Sequence, residues 1–160
     1  MAVLNPSPSS NGRADTNEAG APIQSTCGHW LRVGNLLAQK CFDQAFEGTG
    51  LTSIQCGALQ IIASQPGLGH QQLAARLRTA PSVMTTALKP LSLRKLISRQ
   101  QADLDGRATV YALTPAGKHL VRECQSRLAA AESALQQRLD LEEQKQLKHL
   151  LMKLVGAAST

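Results

Sequence analysis

The sequence predicts a mainly helical fold, about six helices with one two-stranded β-hairpin between the fourth and fifth, and three observations carry that prediction. From Thr26 onward, apolar residues recur at three- and four-residue intervals, as helices with one buried stripe require. Trp30, Phe42, Phe46 and Tyr111 are the only aromatic residues, so Leu, Ile, Val and Ala must fill the core, which favours helices over a β-sandwich. Asp105-Gly106 stands between two short extended runs, a strong hairpin signal. With 160 residues and 42% hydrophobic content, the chain has room for about one folded unit with tails.

Met1 to about Ser25 is rich in Pro, Ser, Asn, Gly and Ala without periodicity, and reads as a flexible N-terminal tail (residues 1–25). Trp30, Val33, Leu37, Cys41 and Ala45, with Phe42 and Phe46 alongside, then form the stripe of a first helix that runs to about Glu47 and stops at Gly48-Thr49-Gly50. Thr52 is placed to cap a second helix carrying Ile54, Ala58, Ile61 and Ile62, ended by Gln65-Pro66-Gly67. A short third helix over His70 to Leu77 turns Leu73, Ala74 and Leu77 inward. Thr79 fits an N-cap and Pro81 a first-turn proline for a fourth helix, with Val83, Ala87, Leu88 and Leu91 toward the core. Pro90 removes one backbone bond and crowds the carbonyl of Thr86, so a kink or an end is expected near Lys89.

Ile97–Ala102 and Ala108–Leu113 are the arms of the hairpin. Thr114-Pro115 opens a long fifth helix in which Leu120, Cys124, Leu128, Ala131, Leu135 and Leu139 make a seam for another helix. Asp140 with Glu143 resembles a capping box for the last helix, which shows Leu147, Leu150, Leu151 and Leu154 on one face and has Gly156 beyond its end. Two short helices at a tight bend followed by a hairpin define a winged helix-turn-helix over residues 49–113. Residues 26–48 and 114–156 are expected to form a helical region around it, to which the family resemblance described below assigns dimerisation.

The formal charge is +6, and most of the excess lies between residues 76 and 107, where seven cations face two acids. A local basic cluster of this kind is an electrostatic footprint for a polyanion. On the fourth helix, Ser82, Thr85, Thr86 and Lys89 share one side that is small, polar and basic and contains no acid. Such residues let a helix approach a groove and donate to phosphates and base edges. Arg107, near the hairpin tip, suits a minor groove, and Asp105 is placed to hold its guanidinium, an Asx-turn being the other use of Asp105. Arg76, Arg78, Arg94, Lys95 and Arg99 are expected phosphate contacts.

Cys27, Cys41, Cys56 and Cys124 form no CxxC pair, and the four histidines lack ligand spacing, so no metal, cofactor or catalytic centre is expected. No apolar run is long enough for a signal or a membrane span, and a cytoplasmic protein is expected.

Particular stretches resemble one family. Gly50-Leu51-Thr52 with Gln55 looks like the start of the second helix in the MarR family of bacterial transcription regulators. Leu73-Ala74 looks like its first helix-turn-helix segment, and Pro81-Ser82-Val83-Met84-Thr85-Thr86 like the start of its recognition helix. Leu96-Ile97-Ser98-Arg99, Asp103, Asp105-Gly106-Arg107 and Leu113-Thr114-Pro115-Ala116-Gly117 resemble the wing and its exit. The resemblance spans Cys27 to Leu154. It departs from the family at Lys95, where many members have glycine, and at Pro90, shared with only a subset.

The resemblance implies a homodimer joined through the first, fifth and sixth helices, with recognition helices in successive major grooves of operator DNA and wings in flanking minor grooves. It also implies release by a small aromatic acid, a phenolic or an oxidant. His29, Trp30, Arg32 and Gln55 offer an aromatic wall and a cation for such a ligand, a packed Trp and a surface Arg being the alternative. Cys27, near the start of the first helix, resembles the sensing cysteine of organic hydroperoxide regulators, although the tyrosines those carry on the second helix are absent from Thr52-Ser53-Ile54-Gln55-Cys56. A winged helix devoted to protein binding is the rival class; it predicts an acid-bearing recognition face, which this sequence lacks.

Overall fold

The computed structural model describes residues 22–101 and 109–157. A 3-10 turn (Ile23–Ser25) leads into α1 (Cys27–Ala45), followed by α2 (Ser53–Ser64), β1 (Leu68–Gly69), α3 (His70–Arg76), α4 (Pro81–Leu93), β2 (Ile97–Gln101), β3 (Thr109–Leu113), α5 (Pro115–Gln136) and α6 (Leu141–Leu154). The residues expected to form the N-terminal tail up to Ala21, and the hairpin tip with Asp103, Asp105 and Arg107, lie outside the described residues.

Polar caps set the helix starts. Thr26 accepts the His29 amide at the head of α1. Thr52 and Gln55 exchange side-chain bonds in a capping box at α2, and Asp140 and Glu143 do the same at α6. Each such cap contributes about 1 kcal/mol. The α4 start differs from expectation. Ala80, not Thr79, is the N-cap and makes no side-chain bond. The proline at position 81 holds its predecessor extended, so the extended cap falls on Ala80, while Arg78, at φ 50°, has already turned the chain.

Pro90 neither ends nor shortens α4, which continues to Leu93. Its ring lies on the exposed face, where water can serve the carbonyl it leaves unpaired, while Leu88 and Leu91 on either side are buried and hold the helix down. Met84, rather than Val83, fills the inward position with Ala87, Leu88 and Leu91; Val83 is exposed. Positions 84, 88 and 91 form a tighter single stripe than 83, 87 and 91 once Leu88 is the anchor.

The hairpin pairs Ile97 with Leu113 and Gln101 with Thr109. A third strand was not expected: Leu68 and Gly69 pair with Tyr111 and Val110, giving a sheet of order β1-β3-β2 rather than two strands. Two residues are too few for alternation to show in a sequence.

The core joins Phe42 and Phe46 of the α1 end, stacked with centroids 4.1 Å apart, to Leu59 and Ile62 of α2, Leu73 of α3, Met84, Leu88 and Leu91 of α4, and Val121 and Cys124 of α5. Only the last turns of the α1 stripe belong to it. Trp30 is 59% exposed, and Leu31, Leu36 and Leu37 are exposed as well. The expected α5 seam is divided: Cys124 is buried and Leu120 and Leu128 pack on this core, while Ala131, Leu135 and Leu139 stay half-buried. Leu147, Leu150, Leu151 and Leu154 of α6 are exposed.

Candidate nucleic-acid interface

The α3–α4 unit is held from both sides. Leu73 and Ala74 anchor α3, and Met84, Leu88 and Leu91 anchor α4. The opposite side of α4 is therefore free, and Ser82, Thr85, Thr86 and Lys89 are all exposed on it. Thr85 and Thr86 each donate a hydroxyl proton to the carbonyl four residues back, Pro81 at 3.0 Å and Ser82 at 3.1 Å. Their oxygens keep acceptor capacity toward a ligand. Val83, exposed beside them, adds an apolar contact of the kind a thymine methyl accepts. The sequence contains no Asp or Glu between Glu47 and Asp103. The whole lobe, and not only its recognition face, is therefore free of fixed negative charge up to the wing tip.

The cations divide into two groups. Arg76, Lys89, Lys95 and Arg99 are exposed around the unit, Arg99 sitting opposite Tyr111 across the strands with its guanidinium 5.9 Å from the ring centre. Two residues expected at phosphates are instead engaged within the chain. Arg94 donates to the carbonyls of Thr49 and Gly50, 3.3 and 3.5 Å away, stapling the α1–α2 connection to the end of α4. Arg78 donates to the Val155 carbonyl at 2.6 Å, at the C-terminal end of α6, where the helix dipole favours a cation. Sequence spacing alone did not distinguish these two arginines from the others.

The base of the wing is tied by Thr114. Its hydroxyl donates to the Lys95 carbonyl at 2.7 Å and accepts the Gly117 amide at 3.1 Å. Its own amide bonds the Leu96 carbonyl at 3.1 Å. Gly117 is required there because a Cβ would overlap that same carbonyl. Lys95 adopts φ 54°, the left-handed conformation that glycine enters freely, which accounts for the family's glycine at this position.

Of the four residues considered for a small ligand, His29, Trp30 and Arg32 lie on α1 and Gln55 on α2. Gln55 is buried, and its side-chain oxygen accepts the Thr52 amide at 3.0 Å. Trp30 donates its ring N–H to the Gln24 carbonyl at 2.7 Å and meets the His29 ring edge-on, while Arg32 is exposed. Cys27 is an exposed free thiol in the first turn of α1. Neither of two surface concavities involves these side chains. One, of about 310 Å³, lies between the end of α2, β3 and α5, with apolar walls from Ile62, Pro66, Leu113 and Val121 and with Lys118 and Arg122 in its lining. The other, of about 320 Å³, lies between the α1–α2 connection and α5. No helix among the described residues is long and apolar enough to cross a membrane.

A supported two-helix reading unit with an acid-free outer face, followed by an antiparallel wing, defines a winged helix-turn-helix DNA-binding protein. Comparison with known proteins agrees: residues 51–109 match the MarR family model. Over those residues, which make up the helix-turn-helix lobe, the chain is similar to the MarR family. The HTH-type transcriptional repressor Rv2887 of Mycobacterium tuberculosis is 28% identical over 123 residues, covering 77% of this chain and 88% of that protein. A crystal structure of Rv2887 complexed with DNA superposes with a TM-score of 0.66 at 24% identity, covering 84% of this chain and 98% of that one. BpsR of Bordetella bronchiseptica, whose DNA binding is described as regulated by 6-hydroxynicotinic acid, gives a TM-score of 0.82 at 22% identity, covering 87% and 99%.

Proposed function

We propose that this chain is a homodimeric repressor that binds a pseudo-palindromic operator and releases it when a small aromatic or phenolic acid binds. The observation that carries the DNA part is the exposed face of α4, small, polar and acid-free, on a lobe that has no carboxylate before Asp103. Ser82, Thr85, Thr86 and Lys89 enter a major groove, Arg76, Lys95 and Arg99 contact phosphates, and Arg107 with Asp105 enters the minor groove. Arg78 joins the phosphate contacts if it leaves Val155, and Arg94 supports them by fixing the α1–α2 connection.

The dimer reading rests on the apolar residues that one chain leaves uncovered on α1 and α6, Trp30, Leu36 and Leu37 with Leu147, Leu150 and Leu154. Patches of this kind on a soluble chain mark interaction surfaces. Repression and operator binding are in keeping with the relatives described above. For the ligand, the concavity beside α5 combines apolar walls with two cations, the chemistry an aromatic carboxylate needs.

A gel shift on DNA from the region upstream of the protein's own gene, with a salt titration, tests this function. Affinity should fall steeply with salt, each phosphate contact adding about 0.9 to the slope of log affinity against log salt. Arg107→Ala should weaken binding several-fold and leave the dimer intact; unchanged affinity at moderate salt removes the wing from the interface.

A further inference from the structure

The outward face of α4 offers a base pair a restricted set of groups. From Pro81 to Leu93 the helix contains no Arg, Asn, Gln, Asp or Glu. Arginine is the commonest bidentate reader of guanine, Asn and Gln read adenine in the same way, and a carboxylate accepts from cytosine. Lys89, two turns beyond the helix start, is the one long polar side chain on α4. The first two turns therefore show only short groups, Ser82, Val83, Thr85 and Thr86, all exposed. These groups are also short of donors. Thr85 and Thr86 give their hydroxyl protons to the Pro81 and Ser82 carbonyls, at 3.0 and 3.1 Å, which leaves their oxygens as acceptors. Val83 is 39% exposed, outside the inward stripe of Met84, Ala87, Leu88 and Leu91. Its branched side chain has one strongly preferred rotamer in a helix, so it meets a partner with little loss of freedom. Thr86 lies three residues further on, a neighbour on the same side of the helix.

We infer that Val83 and Thr86 are a specificity-determining pair that selects a T·A base pair in each operator half-site. Val83 packs on the 5-methyl group of the thymine, and the Thr86 oxygen accepts from the amino group of the adenine. This rests on the operator reading proposed above and goes beyond it by assigning a base pair to two residues. In the major groove T·A displays both a methyl group and an amino donor, whereas C·G has the amino donor without the methyl. An acceptor oxygen alone therefore does not separate the two pairs, and the discrimination falls to Val83. Ser82 adds no preference of this kind, because a serine hydroxyl either donates or accepts.

The test uses the full-length protein and duplexes built on the site it protects upstream of its own gene. Each thymine of a protected half-site is replaced in turn by deoxyuridine, which removes only the methyl group. At one position the loss of affinity should be about four-fold for one half-site and about fifteen-fold when both are changed. Exchanging that pair for C·G should weaken binding further, and 5-methylcytosine in place of the cytosine should recover about four-fold. In Val83→Ala these methyl effects should disappear, while the salt dependence keeps its slope because no phosphate contact is lost. The variant should fold, since the position is exposed and Ala favours a helix. If no deoxyuridine lowers affinity, or if the methyl effect persists equally in Val83→Ala, the inference is overturned while operator binding stands. Absence of any protected site overturns the operator reading itself, and this inference with it.

Discussion

At the scale of single residues, the same side-chain type serves different ends according to what lies within its reach. Six cations were expected to face DNA from the sequence between Arg76 and Arg99. Arg94 is instead drawn to the carbonyls of a glycine-rich connection, and Arg78 to the end of a helix distant in sequence. No local pattern announces either contact, because both join segments more than forty residues apart. Gly117 shows the converse. Its place in Thr114-Pro115-Ala116-Gly117 was recognisable, but the reason lies in the Leu96 carbonyl that its hydrogen faces. Gly117→Ala should destabilise the fold by about 3 kcal/mol, the upper range for forcing volume into a packed site. Urea unfolding with an unchanged midpoint would show that the α5 start can shift away from the wing without cost.

At the scale of elements, the helices were legible wherever caps and periodicity coincided. Thr52, Thr114 and Asp140 mark α2, α5 and α6 by local chemistry that the sequence displays directly. Tertiary packing governs the remainder. α4 survives Pro90 because buried neighbours flank an exposed ring, and it turns Met84 inward because Leu88 and Leu91 fix its rotation. β1 exists only because β3 lies beside it, and so left no trace in the pattern. The continuity of α4 has a measurable consequence. Pro90→Ala restores a backbone donor to the Thr86 carbonyl and should stabilise the protein by about 1–3 kcal/mol. Thermal unfolding reports the gain, and DNA affinity should stay within about two-fold because the outer face is already helical. A destabilised variant would mean that the proline, rather than its neighbours, sets the path of the helix.

At the scale of the whole molecule, one chain leaves apolar faces uncovered. It carries one recognition face, and it leaves Trp30 and Leu36 on α1 and Leu150 and Leu154 on α6 in water, although its own core is closed at Phe42, Phe46 and Cys124. The sequence displayed these apolar stripes but not how they are shared, since periodicity marks a face without saying which neighbour covers it. If the second neighbour is another copy of the chain, two-fold symmetry repeats the α4 face on one side of the duplex. Hydroxyl-radical footprinting of the complex on DNA upstream of the protein's own gene tests that arrangement most directly. Two protected half-sites, about 10 base pairs apart centre to centre on one face of the helix, are the predicted result; a single protected half-site, or protection without that spacing, would contradict it.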